Sequence, residues 1–493
     1  MDDLSARLDR LGPQIEQLMS IGGVQGFLLE FESKLAVDQN TVFPVGLLTK
    51  AVTAAALGIL VDEGKVTWHT PVRDAMPTSF LPEDQFLWHN LTVVDLLCHR
   101  AGISWADNLV IGSDYNILVS SKDTMTWLND QTILRPFREQ FSYSNVAFDF
   151  AGKIIEDLSG QSYYDFVQER IFDPLGMSRS FLQTPASDVD NVSKCYNTLM
   201  TSVQPPLRAL GLGMTGTWSR PQVFAAAETE GLPLRQVPEL MSAKIPMDQP
   251  TRNEVSYALG WQRIQLPGKM GQIGLNSGLL PRGGMPVIGN GIPSELVLFH
   301  QGSVPGLLSF AALVPGTNSA IVVLSNSLAL TDVADWVGQL VLQELLNVPD
   351  THKANIMDCA KATMVENLKW YPRIVECLEK GRTDGTSPRD LDEYVGTYWD
   401  DIHVFKIVVT LEAGTLFWAI QGLDMEKFPL KHYEYDTFTW LQPRNELSKR
   451  GRRVGADQGP EAWKVVFAAM DSDHIISLFW EHDRGVSPRE FTK

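Results

Sequence analysis

Lys50 is the first residue in this chain whose position suggests chemistry. It lies in a run from Leu47 to Val61 that is apolar nearly all round, with Leu47, Leu48, Ala51, Val52 and Ala54 beside it. Gly64 follows as a stop signal, and a helix apolar on every face belongs in the middle of a domain. An ammonium there must be paired, lose its proton, or snorkel its head to water. Burial disfavours the charged form, so a buried Lys50 is a candidate base near neutral pH. A snorkelling Lys50 is an ordinary surface cation.

The surrounding segments narrow the choice. Phe43-Pro44-Val45-Gly46-Leu47-Leu48-Thr49-Lys50-Ala51-Val52 resembles the SxxK helix of serine β-lactamases, penicillin-binding proteins and related esterases. Leu60-Val61-Asp62-Glu63-Gly64-Lys65-Val66 and Leu91-Thr92-Val93-Val94-Asp95-Leu96-Leu97-Cys98-His99-Arg100 are similar to the same family. The resemblance implies a second motif, YxN, which reads Tyr143-Ser144-Asn145, and a third on a strand edge, which reads His300-Gln301-Gly302 followed by Ser303. In that family the tyrosine phenol exchanges protons with nucleophile and lysine, and the asparagine orients lysine and substrate. The strand lines the acyl site and supplies a backbone oxyanion contact. His99 and Arg100 are expected to pack rather than react.

The departure lies three residues before Lys50. The family's serine position holds Leu47. Residues three apart on a helix share a face, one turn from each other, and the family uses that spacing to pass the serine proton to the lysine. Leucine closes the acyl-enzyme route there. Thr49 and Ser144 are the nearby hydroxyls, and a substitute nucleophile needs tighter geometry than either offers. What survives is an acid–base set of Lys50, Tyr143 and His300, with Leu47, Asn145, Gln301, Gly302 and Ser303 lining the substrate. Leu47 makes such a pocket drier and strengthens its polar interactions. Proton abstraction and return suits isomerisation, dehydration, cyclisation or aldol-type chemistry.

These residues need a frame, and the pattern supplies one. A helix is expected from Asn145 to Leu158, with Gly160 past its end. Strand-like runs at Glu295–Phe299, Leu307–Val314 and Ser319–Ser325, joined by short turns, predict an antiparallel meander. A closing helix is expected over Asp332–Leu346, and a buried strand over Val24–Phe31. Asp107–Gln140 is polar and aromatic and reads as a lid or helical insert. Lys269–Ser294 is rich in Gly and Pro and reads as an irregular loop. The fold class expected is α+β: a β-lactamase-like domain over 1–350, with its helical and insert part at about 70–245. A linker over 351–389 and a small all-β, lipocalin-like barrel over 390–493 follow. Trp399, Trp418 and Trp440 are expected in the barrel's own core.

Bulk properties exclude other classes. The chain has 493 residues, a net charge of −18, and 44% hydrophobic against 20% charged residues. A phosphate backbone is repelled by that charge. The one basic run, Lys449-Arg450-Gly451-Arg452-Arg453, reads as a solvated loop. Four scattered cysteines are expected to stay reduced, and the nine histidines show no ligand spacing, so neither metal nor cofactor is expected. The first residues carry no secretory pattern. Leu4, Leu8, Leu11, Ile15 and Leu18 repeat at helical spacing instead, which predicts an amphipathic helix and a cytoplasmic protein. The partner expected is a small, hydrophobic molecule, with no nucleic acid and no membrane span. Three functions stay open: a natural-product tailoring enzyme doing non-covalent acid–base chemistry, a hydrolase or acyltransferase with another nucleophile or activated water, and an inactive binding protein.

Overall fold

The computed structural model describes the chain except residues 1, 25–39, 77–88, 200–214, 217–232, 249–252, 282–283, 453–454, 456–457 and 470–473. Most of the strand expected at Val24–Phe31 and part of the helical and insert region at about 70–245 lie outside the described residues. Two compact units emerge, residues 1–103 with 135–367, and 104–134 with 368–493.

The first unit is built around the helix that carries Lys50. A 3-10 turn, Gly46–Leu48, leads into α1 (Thr49–Asp62), whose residues from Lys50 to Leu60 are all buried. The uninterrupted apolar run requires this, because no face of α1 can be left to water. Further along the chain, two helices border the site: α2 (Val93–Leu97), opened by a capping box between Thr92 and Asp95, and α3 (Val146–Ser159). Helix α3 stops at Gly160, whose φ of 71° is the left-handed conformation glycine adopts without strain.

Behind these helices runs a six-stranded antiparallel sheet in simple sequence order: β1 (Ile245–Pro246), β2 (Val255–Tyr257), β3 (Gln262–Leu266), β4 (Glu295–Val304), β5 (Leu307–Val314) and β6 (Ser319–Ser325). The meander matches the sequence pattern, except that β4 runs on through His300-Gln301-Gly302 to Val304. In register, His300 opposes Ala311 and Gly302 opposes Ser309. Helix α4 (Val333–Leu345) covers one face of the sheet. Phe299, Phe310, Trp336 and Val337 belong to one buried cluster there, and each such side chain contributes about 1.5–3 kcal/mol on burial. The Lys269–Ser294 stretch is more ordered than expected. It contains a short helix, Leu275–Leu279, and a two-residue strand pair joining 268–269 to 287–288.

The 351–389 stretch expected as a linker holds the 26-residue α5 (Ile356–Gly381). Its apolar residues recur on one face, and Ile356, Ala360, Trp370, Ile374 and Leu378 are buried.

The second unit is a nearly closed barrel. Its strands are β7 (Gly396–Trp399), β8 (Lys406–Glu412), β9 (Thr415–Ile420), β10 (Lys427–Pro429), β11 (Lys431–Glu434), β12 (Thr437–Thr439), β13 (Lys464–Ala469), β14 (Ile475–Trp480) and β15 (Arg489–Thr492). They pair in the order β10-β9-β8-β7-β15-β14-β13-β12-β11. The two ends of that order, β10 and β11, are separated in the chain by Leu430 alone, which curls the sheet towards closure. Trp418, Trp440, Trp463 and Trp480 fill the interior, with ring centroids as close as 4.6 Å. Trp418 and Trp440 therefore sit in the core, as expected, whereas Trp399 is only half-buried.

Two expectations need correction here. The polar segment 107–140, expected as a lid or helical insert, holds short helices at Asp107–Val110 and Thr124–Asn129 but belongs from 104 to 134 with the barrel: Asn108 donates to Asp483 at 3.0 Å, and its carbonyl accepts from Arg452 at 2.7 Å. The basic run is likewise not wholly solvated. Arg452 is buried and pairs with buried Glu426 at 3.0 Å. A short run of like charges hides which member has a partner distant in sequence. Cys98 and Cys195 are buried free thiols, pushed up to about 12 by burial. Among the described residues no helix is long and apolar enough to cross a membrane.

Candidate active site

The first turn of α1 places Lys50 at the centre of the site. The residue is buried, and its ammonium donates to Asn145 Oδ1 at 2.7 Å. It also lies 5.0 Å from the Tyr143 ring centre and 5.2 Å from that of Phe148. Lys50 does not snorkel: burial is met by one amide oxygen and two aromatic faces, each a favourable partner for a cation. Sequence separation of 95 residues between Lys50 and Asn145 is closed because α3 packs against α1.

Leu47 sits in the turn before α1, half-buried. The two neighbouring hydroxyls are tied elsewhere. Thr49 Oγ1 donates to the Gly46 carbonyl at 2.7 Å, and Ser144 Oγ accepts from Ala147 N–H at 3.4 Å at the start of α3. Both bonds are local capping arrangements.

The YSN segment is held by a buried clamp that the sequence disclosed only in part. Asp95, fully buried in α2, accepts from Arg100 Nε at 2.6 Å, from Arg138 Nη2 at 2.7 Å, and from Thr92 N–H and Oγ1. Burial pushes its carboxyl upward, but the bonds from Arg138, Thr92 and Arg100 outweigh it and hold the group below the ordinary carboxylate range. The Arg138 and Ser142 amides then bond to the Arg100 and His99 carbonyls, so the strand of chain leading to Tyr143 is pinned to the end of α2. His99 Nδ1 accepts from the Ser144 amide at 3.1 Å, and its ring lies 4.3 Å from that of Tyr143. Burial, with Lys50 nearby, keeps His99 neutral by driving it well below the usual histidine range. The packing role expected for His99 and Arg100 is what the contacts describe.

On the sheet side, β4 contributes unequally. His300 is buried; its Nδ1 donates to the Gln301 carbonyl at 2.6 Å, and its Nε2 accepts from the Tyr257 hydroxyl at 3.0 Å. Burial, then the Lys50 charge, lowers it to about 3. Both nitrogens are thus occupied in a neutral ring, which does not fit the proton-moving role expected from the sequence. Gln301 points to the opposite face, as alternation along a strand requires. It donates to Asp335 Oδ1 at 3.0 Å in α4 and accepts from Gln262, so its side chain lies in the core behind the sheet and not at the substrate. Gly302 is required by close approach: a Cβ there would stand 3.1 Å from the Val45 carbonyl oxygen and 3.2 Å from the Leu47 nitrogen. The backbone of β4 at Gly302 and Ser303 therefore runs directly beside the turn that holds Leu47. Tyr257 and Phe148 were not singled out from sequence, since aromatic residues in apolar runs carry no local mark of a site.

The geometry can hold a proton at Lys50, share it with groups around Tyr143 and Asn145, and exclude water through Leu47 and the aromatic rings. The site lies wholly within the first unit.

Comparison with known proteins identifies the family. The beta-lactamase family profile matches residues 21–343, and that of a domain of unknown function (DUF3471) matches 381–493. An unguisins hydrolase from Aspergillus campestris (strain IBT 28561) is 24% identical over 422 residues, spanning 78% of this chain and 71% of the relative. Penicillin-binding protein 4 of Amycolatopsis lactamdurans is 31% identical over 146 residues, 30% of this chain and 37% of its own. Among solved structures, the octameric penicillin-binding protein homologue from Pyrococcus abyssi superposes with a TM-score of 0.52 at 19% identity, covering 94% of this chain and 90% of that one. With the β-lactamase profile spanning the buried lysine, the YSN segment and strand β4 together, the chain belongs to the beta-lactamase family.

Proposed function

We propose that this protein is a β-lactamase-fold tailoring enzyme of natural-product metabolism that moves protons non-covalently, with Lys50 and Tyr143 as the acid–base pair. The observation that carries this reading is the 2.7 Å bond from buried Lys50 to Asn145 beside Tyr143, maintained next to a leucine where the family's acylation route needs a hydroxyl. Keeping a lysine out of water is costly, and a site with no remaining use for it would relieve that cost by substitution. In the proposed reaction Lys50, in its neutral amine form, takes a proton from carbon next to a carbonyl. The carbonyl oxygen of the resulting enolate lies toward the backbone of Leu47 and Ser303, Tyr143 gives its phenol proton to carbon, and the Lys50 ammonium then passes its proton to the Tyr143 phenolate, which restores both groups. Asn145 holds Lys50, and His300 steadies Tyr257 without titrating. The substrate is a small, largely apolar carbonyl compound, as the rings of Phe148 and Tyr143 and the side chain of Leu47 favour.

A second reading has its own support. The Aspergillus campestris relative is named a hydrolase, and Lys50 with Tyr143 can equally activate a water toward an amide or ester.

One experiment separates them. A panel of 1,3-dicarbonyl compounds, esters and amides is incubated with the protein in deuterated water and followed by NMR. Acid–base chemistry gives carbon-bound deuterium in a compound whose acyl bonds stay intact, and Lys50→Met or Tyr143→Phe lowers that exchange by about 10²–10⁴-fold. Cleaved acyl bonds without exchange support the hydrolase. Exchange that is indifferent to both substitutions refutes the assignment of the pair.

A further inference from the structure

The second unit holds a cavity of about 320 Å³ with no part in the chemistry above. Its wall combines Trp127 and Asp130 from the 104–134 segment with Trp399, Asp401, Arg489 and Glu490 from β7, β15 and the loop after β7. Every one of these residues belongs to the barrel unit. The lining runs from buried Trp127 to exposed Asp401 and Glu490, so the cavity opens to solvent on its acidic side.

The charges around it do not balance. Among the described residues of the wall, Arg489 is the one lysine or arginine side chain, against the carboxylates of Asp130, Asp401 and Glu490. A fourth carboxylate, buried Asp400, stands behind them. A single terminal nitrogen of Arg489 serves three of these acids, Asp130 at 2.6 Å, Asp400 at 3.0 Å and Asp401 at 3.3 Å. That nitrogen carries two hydrogens for three acceptors, so it cannot give each carboxylate a hydrogen of its own. Burial pushes the Asp130 and Asp400 carboxyls upward, Arg489 pulls them back, and Asp401 adds repulsion. Further positive charge would relieve this repulsion, and a further anion would worsen it.

The aromatic residues point the same way. Arg489 lies over the Trp127 ring at 5.4 Å, and Lys406 lies over the Trp399 ring at 5.3 Å. Each tryptophan of the wall already carries a cation, as their electron-rich faces favour. Trp399 is the residue of its group that stays half-buried while Trp418 and Trp440 fill the barrel. Its position outside the core provides a flat apolar wall beside an acidic rim. A volume of about 300 Å³ or more is the size of sites that take small organic molecules.

We propose that this cavity is a binding site for a small organic cation, an amine or guanidinium on a flat apolar body, with the charge among Asp130, Asp401 and Glu490 and the body against Trp399.

Isothermal titration calorimetry on the full chain tests it with two probes of nearly equal shape, benzylamine and benzyl alcohol. Benzylamine is expected to bind about tenfold or more tightly than the alcohol, the factor that one added ion pair or cation–π contact supplies. Its affinity should fall with added salt. Asp401→Asn combined with Glu490→Gln, both exposed positions that leave the core intact, should weaken benzylamine about tenfold and leave benzyl alcohol unchanged. Trp399→Leu should weaken both. Equal binding of the two probes, or a benzylamine affinity indifferent to the paired acid substitution, overturns the proposal. So does the absence of any benzylamine heat at about 10 mM, beyond which the affinity is too weak to matter.

Discussion

Replacing Leu47 with serine asks whether the Lys50 site is still a working base. Leu47 is half-buried in the turn before α1, so losing its side chain forfeits about half of the 1.5–3 kcal/mol that a fully buried leucine contributes, roughly 1 kcal/mol. In a unit of this size that lowers Tm by about 2 °C, a loss the fold tolerates. The new hydroxyl would stand three residues before Lys50, one helical turn away on the same side. Lys50 is held by Asn145 at 2.7 Å and by the Tyr143 and Phe148 rings. Nothing in that set needs to move for the ammonium to serve a serine. Leu47→Ser, incubated with a chromogenic cephalosporin or ester, is expected to gain the mass of one acyl group by intact mass spectrometry. Adding Lys50→Met should slow that acylation by about 10²–10⁴-fold, the usual contribution of a positioned general base. The starting protein should stay unmodified. A Leu47→Ser protein that melts within a few degrees of the parent and never acylates would refute the reasoning. It would mean that Lys50 is not poised as a base, and the proposed acid–base pair would fall with it.

Two stability predictions follow from the buried acids. Asp95→Asn leaves Arg100 and Arg138 facing a neutral amide and should cost about 3 kcal/mol, the lower end for a broken buried pair because both arginines are partly exposed. Since the folded state holds the Asp95 carboxyl below its ordinary range, its contribution is complete above the unfolded pKa. That contribution is lost as pH falls through the folded value, so denaturant midpoints measured down an acid series should fall less steeply in Asp95→Asn than in the parent. Asp332 has the opposite sign: burial, with the Asp335 carboxyl close by, raises it well above 3.8. The unfolded chain then sheds that proton more readily than the folded one, and stability declines as pH rises above the ordinary carboxylate range. Asp332→Asn keeps an oxygen for the Asp335 amide, which Asp332 Oδ1 accepts at 3.1 Å. It should therefore raise the melting temperature at neutral pH, with the gain vanishing near pH 3.8. A neutral-pH loss in Asp332→Asn would show that the buried carboxyl contributes more than a helix cap.

What the sequence determined by itself was local and periodic. The apolar run around Lys50 required a central helix, and the alternating runs from Glu295 to Ser325 required an antiparallel meander, because burial selects side chains at the period of the element that buries them. Three short motifs in order marked the fold. Tertiary structure decided what each motif residue does. His300 and Gln301 are neighbours in sequence, yet one faces Tyr257 and the other Asp335, since successive side chains leave a strand on opposite faces. Burial beside Lys50, 250 positions away in the chain, is what lowers His300, and its ring nitrogen is met by Tyr257, 43 positions away. Asp95 became a clamp only when Arg138 reached it from beyond the insert. The segment from 104 to 134 looked like part of the first domain by position but belongs with the barrel, because Asn108 finds Asp483 and the Arg452 side chain there. Arg452 in a basic run and Trp399 among core tryptophans read like their neighbours. Partners distant in the chain, and the side of the sheet each residue faces, set them apart, and neither is encoded in the residues beside them.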